Sequence, residues 1–425
     1  MTIRLRVIAL LLLLAPTGAL AETSYVRAGK LVDTVQGKVL NDQLIRIVDG
    51  RVTAVEPYKN APADGMVTDW SRYTVLPGLM DMHTHLADFG QTNNFAEPLL
   101  HSVAETALLS SKNARDTLRA GFTTVRDVGV FRAFGDVALR DAIDKEIVEG
   151  PRMTVAGAYI TVPGGGGEVT GFAPDVQVPE DMRRGVARNP DEVREKARYI
   201  FQHGADFLKL IATGAVLAQG TEPGALEMSE AEIRAAVEEA ARNGGYATAH
   251  AHGAEGIKTA IRAGVRSIEH ASLIDDEGIA LAKQKGVWLV MDVYNGDYIE
   301  EMGTKEGWPA DILRKNRETT DEQRVGFRKA VAAGAKIAFG TDSGVYPHGL
   351  NARQFAYMVA NGMTPMQAIQ SATIESARLI RKEKDVGAIT PGRFADMIAV
   401  EGDPIANIRL LEKVQHVIKG GELVR

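Results

Sequence analysis

The chain has 425 residues, 45% of them hydrophobic and 24% charged, with a formal net charge of −6. That composition belongs to a folded globular protein, long enough for one large α/β domain and a smaller companion. Mild acidity without a basic stripe argues against a nucleic-acid partner, and the absence of cysteine excludes disulfides and thiolate ligands. His, Asp, Glu and a modified Lys remain as metal donors.

At the start, Arg4 and Arg6 precede the apolar run Val7 to Ala15, and Ala19-Leu-Ala21 offers a small-residue cleavage site. The run is too short to span a bilayer, which takes ~20 apolar residues. Residues 1–21 therefore read as a secretory signal peptide, and the mature protein would be soluble and exported, periplasmic in a Gram-negative source. Removing its two arginines takes the formal charge from −6 to −8. No later segment is long and apolar enough to span a membrane.

Residues 22–74 hold short alternating runs, such as Gln43–Val48 and Arg51–Val55, broken by Asp49-Gly50. Residues 387–425 repeat the pattern in Asp396–Val400 and His416–Lys419, followed by Gly420-Gly421. These strand and turn signals predict one small β-sandwich built from the two chain ends. Between them, residues 75–386 carry eight short apolar runs: Val75–His85, Thr123–Gly129, Met153–Ile160, Phe207–Gly214, Tyr246–Gly253, Ser267–Ser272, Val287–Tyr294 and Lys336–Gly344. Helix-like stretches such as Asp191–His203 and Ser229–Asn243 separate them, the latter opening on a cap at Ser229 and stopping at Gly244-Gly245. Helices end in Ala120-Gly121, His203-Gly204, Ala263-Gly264 and Ala333-Gly334, where Gly suits the left-handed closing position. Eight such units predict a (β/α)8 TIM-type barrel with its active site at the C-terminal strand ends.

Titratable groups fall at those ends. His83 and His85 close the first run two residues apart, so on a strand both imidazoles face the same way and can reach one metal. Lys209, His250, His270 and Asp342 close later runs. Lys209 has apolar neighbours on both sides, and burial would leave it a neutral, nucleophilic amine. A lysine snorkelling from a strand edge is the ordinary alternative, but four histidines and an acid at matching ends favour a metal site. Asp342 alone would read as a helix cap; beside bound metal it is a proton acceptor. His250-Ala-His252 repeats the two-residue spacing, so either histidine could be the ligand.

Leu76-Pro-Gly-Leu-Met-Asp-Met-His-Thr-His85, Gly121-Phe-Thr-Thr-Val-Arg-Asp127, Ile268-Glu-His-Ala271, Gly340-Thr-Asp-Ser-Gly344 and Gly392-Arg-Phe-Ala-Asp396 together resemble the amidohydrolase superfamily, over essentially the whole mature chain. Within it, the chain is similar to the imidazolonepropionase-related, secreted dipeptidase branch with two metals, whose members act on Xaa-Arg/Lys or Xaa-Pro dipeptides. The resemblance implies that His83, His85 and Asp342 hold the deeper metal and His250 and His270 the outer one. It also implies that Lys209 bridges both as a carbamate, and that the two divalent ions are zinc. Two such cations would lower the pKa of a shared water enough to supply hydroxide near neutral pH, with Asp342 passing its proton to the leaving nitrogen.

His252 would then face the cavity and touch the substrate carbonyl or carboxylate, or serve as a hydrogen-bonding support. Related prolidases have a position resembling Tyr there, a departure that argues against proline specificity. The glycine-rich Thr161–Thr170 lacks the pattern of a phosphate loop, so nucleotide binding is rejected. Where relatives often carry His, this run has Glu168, whose carboxylate over the pocket would favour a substrate Arg or Lys; a solvated loop acid is the alternative. Tyr159, Tyr294 and Asp297 are further candidates for the pocket wall or for rim packing, and His348 for its mouth. His101, His203 and His416 read as surface or structural.

The expected activity is binuclear amide hydrolysis releasing the C-terminal residue, with Arg or Lys favoured, from small-molecule dipeptides or N-acyl amino acids. A prolidase, a non-peptide amide (toxin) hydrolase and a mononuclear cyclic-amide hydrolase are the alternatives. A non-catalytic scaffold is disfavoured by the complete ligand set, and a homo-oligomer stays open.

Overall fold

The computed structural model describes residues 23–90, 94 and 96–425, so the expected signal peptide lies outside the described residues. The chain ends meet in one seven-stranded sheet. Its strands are β1 (Thr23–Asp33), β2 (Lys38–Val48), β3 (Arg51–Pro57) and β4 (Met66–Pro77) from the start, and β13 (Met397–Glu401), β14 (His416–Lys419) and β15 (Glu422–Leu423) from the end. The order is β15-β14-β13-β4-β1-β2-β3. Asp49-Gly50 turns β2 into β3 with both residues left-handed (φ 48° and 72°), the conformation that matches strand twist in a tight hairpin.

The sandwich expected from sequence is therefore a single sheet folded over one core of Val26, Ile45, Val52, Trp70, Val75, Met397 and Ile418. The β2–β3 hairpin comes back onto the segment that enters β13: Arg51 forms a bridge with Phe394, and Ala395 N donates to Gly50 O at 2.8 Å. β4 also runs past residue 74. Val75, Leu76 and Pro77 pair with β13, and the first barrel strand starts only at Leu79. Gly78 makes this handover possible, because a Cβ there would lie 2.1 Å from Thr123 Oγ1.

The barrel strands are β5 (Leu79–Thr84), β6 (Phe122–Asp127), β7 (Arg152–Val155), β8 (Tyr159–Ile160), β9 (Leu208–Ile211), β10 (Ala247–Ala251), β11 (Ser267–His270) and β12 (Trp288–Val290), and every pairing among them is parallel. The third apolar run supplies both β7 and β8. It breaks at Gly157 (φ 76°), whose N–H donates to the buried Asp136 at 2.8 Å. The eighth run forms no regular strand but bridges Leu289 through Ile337 and Thr84 through Ser343. Met82 N–Phe339 O and Ala338 N–Leu289 O bonds of 2.8 and 3.1 Å link it to β5 on one side and β12 on the other. The fold is the (β/α)8 barrel of the TIM type, with the terminal sheet beside it.

Helix signals map closely onto the elements. Ser229 and Glu232 form a reciprocal capping box on helix Glu230–Arg242, and Asn189 caps helix Pro190–Gln202. Gly121, Gly204, Gly264 and Gly334 all adopt positive φ where the sequence expects helix ends. No helix among the described residues is long and apolar enough to cross a membrane.

Asp396, the last residue of the Gly-Arg-Phe-Ala-Asp motif, joins the two parts. Its carboxylate takes Arg152 of β7 at 3.1 and 3.3 Å and Gly420 N–H at 2.6 Å. Arg152 keeps 29% exposure, so the expected loss for Asp396→Ala is about 2 kcal/mol rather than the roughly 3–5 kcal/mol of a fully buried pair. Denaturant unfolding reads this directly; a midpoint equal to wild type would show that the pair does not hold barrel and sheet together.

Candidate active site

The C-terminal ends of the barrel strands surround a cavity of about 200 Å³. His83 on β5 and His85 just past its end, two residues apart, both face Asp342: the Nε2 atoms lie 3.4 and 3.2 Å from its Oδ1. On the other side His250, His252 and His270 bring their ring nitrogens within 4.8 Å of one another, and His270, Asp292 and Asp342 form a third such group. Nitrogen and carboxylate donors in these clusters suit a divalent ion such as zinc, and the residues present fit a bound metal. His270, Ala271 and Asp342 hold positive φ (68°, 50° and 58°), a backbone cost found where surroundings over-determine a functional position.

Each histidine among the ligand candidates is held through one ring nitrogen. His83 Nδ1 lies 2.9 Å from Glu269 Oε2, His85 Nδ1 lies 2.8 Å from Gly129 O, and His270 Nδ1 lies 3.1 Å from Asp292 Oδ1. These contacts leave the Nε2 atoms of all three for a metal. His250 is the exception, with Nε2 3.3 Å from Gly214 O, which leaves Nδ1. Glu269 is itself anchored by Arg126 at 2.7 Å, by Ser267 Oγ at 2.8 Å and by Thr248 Oγ1, and both members of the ion pair are fully buried. Arg126 also donates to Met82 O at 2.7 Å.

The electrostatics follow from burial and neighbours. Burial pulls the His83 and His250 imidazoles well below their usual range, so both are neutral and able to bind metal. Burial also acts on His85, but the Asp342 carboxylate outweighs it and raises the group to about 9; a cation between them would reverse that balance. Asp292 stays ionised despite burial because His270 stands beside it. Lys209 is 2% exposed, and burial lowers its pKa to about 8. Among the described residues its ammonium has no hydrogen-bond or ion-pair partner, a costly state for a plain lysine.

The structure brings together His83, His85, Lys209, His250, His252, His270 and Asp342, all lining the cavity. Tyr159 lines it too, with its hydroxyl 3.1 Å from His85 Nδ1 and donating to Gly129 O at 3.1 Å. Four candidates are placed otherwise than the sequence suggests. Glu168 lines the cavity, but Arg183 at 2.9 Å and Gly164 N–H at 2.6 Å occupy its carboxylate, so it offers no free anion to a substrate cation. Tyr294 does not line the cavity: the chain turns into helix Asn295–Glu306 there, and its ring packs on Tyr346 and Tyr357 while Arg353 donates to its hydroxyl at 2.9 Å. His348 is also off the cavity, and burial lowers its pKa to about 3. Asp297 pairs with Arg324 at 2.7 Å instead of facing the pocket.

Sequence reasoning passed over Asp292, Asn295, Glu269, Arg126 and Gln323. Arg126 and Glu269 carry a visible signal, a charge inside an apolar run, as does Asp292 after Leu289-Val-Met291. Asn295 and Gln323 have none, because their role arises only from contact across elements.

A model of the amidohydrolase family matches residues 74–424. The chain belongs to that family, and it is a metal-dependent amidohydrolase. Among solved structures, a Xaa-Pro dipeptidase with methionine bound in its active site is similar at a TM-score of 0.88 and 37% identity, covering 95% of this chain and 99% of that one. Ochratoxinase of Aspergillus niger is 29% identical over 431 residues, covering 95% of this chain and 87% of its own length. Imidazolonepropionase of Nocardia farcinica is 26% identical over 386 residues, with 85% of each chain covered.

Glu269→Gln removes the charge that balances Arg126 and loosens His83. Expected outcomes are a stability loss of about 3 kcal/mol and a metal affinity lowered roughly 10–100-fold. Denaturant unfolding and metal titration read the two effects separately. Wild-type affinity in the variant would detach Glu269 from the metal site.

Proposed function

We propose that this protein is a binuclear zinc hydrolase that cleaves the amide bond of dipeptides or N-acyl amino acids and releases the C-terminal residue. The observation that carries this is the pairing of two three-residue donor groups across Asp342 and His270, with the unpartnered, buried Lys209 in the same cavity. His83, His85 and Asp342 would hold one ion, His250 and His270 the other, and Lys209, as a carbamate, would answer the need for an anion between them. The bound ions would supply hydroxide near neutral pH and polarise the scissile carbonyl.

The chain's own residues do the rest. Asp342 accepts the proton released as the carbonyl is attacked and returns it to the leaving nitrogen. His252, with Nδ1 2.8 Å from Ser272 Oγ, keeps Nε2 for the substrate carbonyl or carboxylate. The side-chain preference follows the wall. With Glu168 neutralised by Arg183, the cavity presents Phe89, Phe131, Val216, Leu217, Ile299 and Val345, so an apolar C-terminal residue is favoured over Arg or Lys. The relative that holds methionine in its active site supports this reading. An exported location, read from residues 1–21, fits an enzyme that meets peptides outside the cytosol.

The test uses the mature protein loaded with zinc in bicarbonate, assayed on dipeptides that differ only in the C-terminal residue, with N-acyl amino acids alongside. Apolar residues should be released with a kcat/KM at least ~10-fold above that for Arg or Lys, in line with one well-filled apolar pocket. Preference for Arg or Lys would restore the acidic-pocket assignment and overturn the apolar one. No turnover on any member, with two metals bound, would sink the dipeptidase reading.

Glu168→Gln supplies a second check. Because its charge is spent on Arg183, the variant should keep the wild-type order of preference. A shift away from basic residues would show Glu168 in contact with substrate.

A further inference from the structure

Asn295, the first residue of helix Asn295–Glu306, is buried and lines the cavity. Its Nδ2 donates to Asp292 Oδ2 at 3.1 Å and to Asp342 Oδ2 at 3.0 Å, so both amide hydrogens go to carboxylates. Its Oδ1 is buried and has no partner among the described residues. The amide cannot be turned over, because its carbonyl would then face two anions. Packing does not require an amide here either: leucine has a similar volume and would leave no buried carbonyl unsatisfied. What the amide supplies is the tie between the carboxylates.

That tie divides the oxygens of Asp342. Oδ1 faces the His83 and His85 nitrogens at 3.4 and 3.2 Å, while Oδ2 is held by Asn295. The anchor behind Asn295 is firm, since Asp292 also takes His270 Nδ1 at 3.1 Å and Gln323 Nε2 at 2.8 Å. Gln323 in turn donates to His270 O at 3.0 Å. An unbroken path, His270–Asp292–Asn295–Asp342, therefore links the ligands of the two proposed metal positions through hydrogen bonds alone.

We infer that Asn295 is the positioning residue that orients the Asp342 carboxylate, keeping one oxygen on the metal side and the other for proton transfer. The inference rests on the role given to Asp342 under the proposed function. It requires a loss of catalytic rate and of metal retention without a matching loss of substrate binding.

Asn295→Leu removes both donors at nearly constant volume, and Asn295→Ser leaves one short donor, so it serves if the leucine variant does not fold. The zinc-loaded holoenzymes are compared by kcat and KM on the amide substrate wild type turns over fastest, and by the rate of zinc release to a chelator. The expected result is a kcat about 100-fold lower, a KM within ~3-fold of wild type, and zinc released roughly 10-fold faster or more. Unchanged kcat and unchanged zinc release in a folded variant would overturn the inference. So would a higher KM at wild-type kcat, which would place Asn295 in substrate binding. Zinc release needs no substrate, so it still reads Asn295 if wild type fails on every dipeptide, an outcome that bears on the proposed function alone.

Discussion

Arg126 and Glu269 lie at the centre of the barrel without solvent contact, 2.7 Å apart. Neither charge would be tolerated there alone, since a lone buried ion costs far more than any single contact returns. With Ser267 and the Met82 carbonyl, each guanidinium nitrogen of Arg126 has a partner; Glu269 Oε1 takes Arg126, Thr248 and Ser267, and Oε2 is left for His83. The pair spans β6 and β11, so the orientation of a ligand on β5 depends on strands far away in the chain. A buried pair of this kind specifies geometry more than it adds stability.

The acids around the donor set fall into two groups with opposite behaviour. Near His85 and Tyr159, burial pushes Asp88 and Asp136 up to about 6 and raises Asp127 well above the usual carboxylate range. Near the histidine cluster, Glu269 and Asp292 are equally buried, yet Arg126 and His270 hold them low. Carboxylate charge is thus stabilised beside His83 and His270 and disfavoured by burial around His85 and Tyr159, most strongly at Asp127.

Above that floor the chemistry turns apolar. Ile299, Trp308, Ile312 and Val345 form a small cluster of their own, with Leu217 packed against it. The loop carrying Leu217 is pinned by Lys315, fully buried, whose Nζ donates to Ala218 O at 2.6 Å and pairs with Asp311 at 3.0 Å. This apolar wall of the cavity is therefore held by the long helix Ala310–Ala332, outside the barrel strands.

Much of this was legible in the sequence. Eight apolar runs, glycines at the helix ends and the Ser229 cap are local signals, set by side-chain periodicity and by the backbone freedom of glycine, and the elements follow them. The ordered donors His83, His85, Lys209, His250, His270 and Asp342 were visible because each closes an apolar run. That the two chain ends join in one β unit was read from their shared strand and turn signals, whereas the pairing of β4 with β13, which joins residues over 300 positions apart, has no local mark. Glu168 shows the same limit: the sequence displays its charge, while the partner that cancels it, Arg183, is decided only by how the loop closes.

By itself, then, the sequence determined the repeating units, the family and which donors stand at the strand ends, because those depend on neighbours along the chain. Only the tertiary structure decided which oxygen of Asp342 faces the histidines, which charges are already spent and which rings face the cavity. Those properties depend on burial and on contacts between distant segments, and a one-dimensional pattern carries neither.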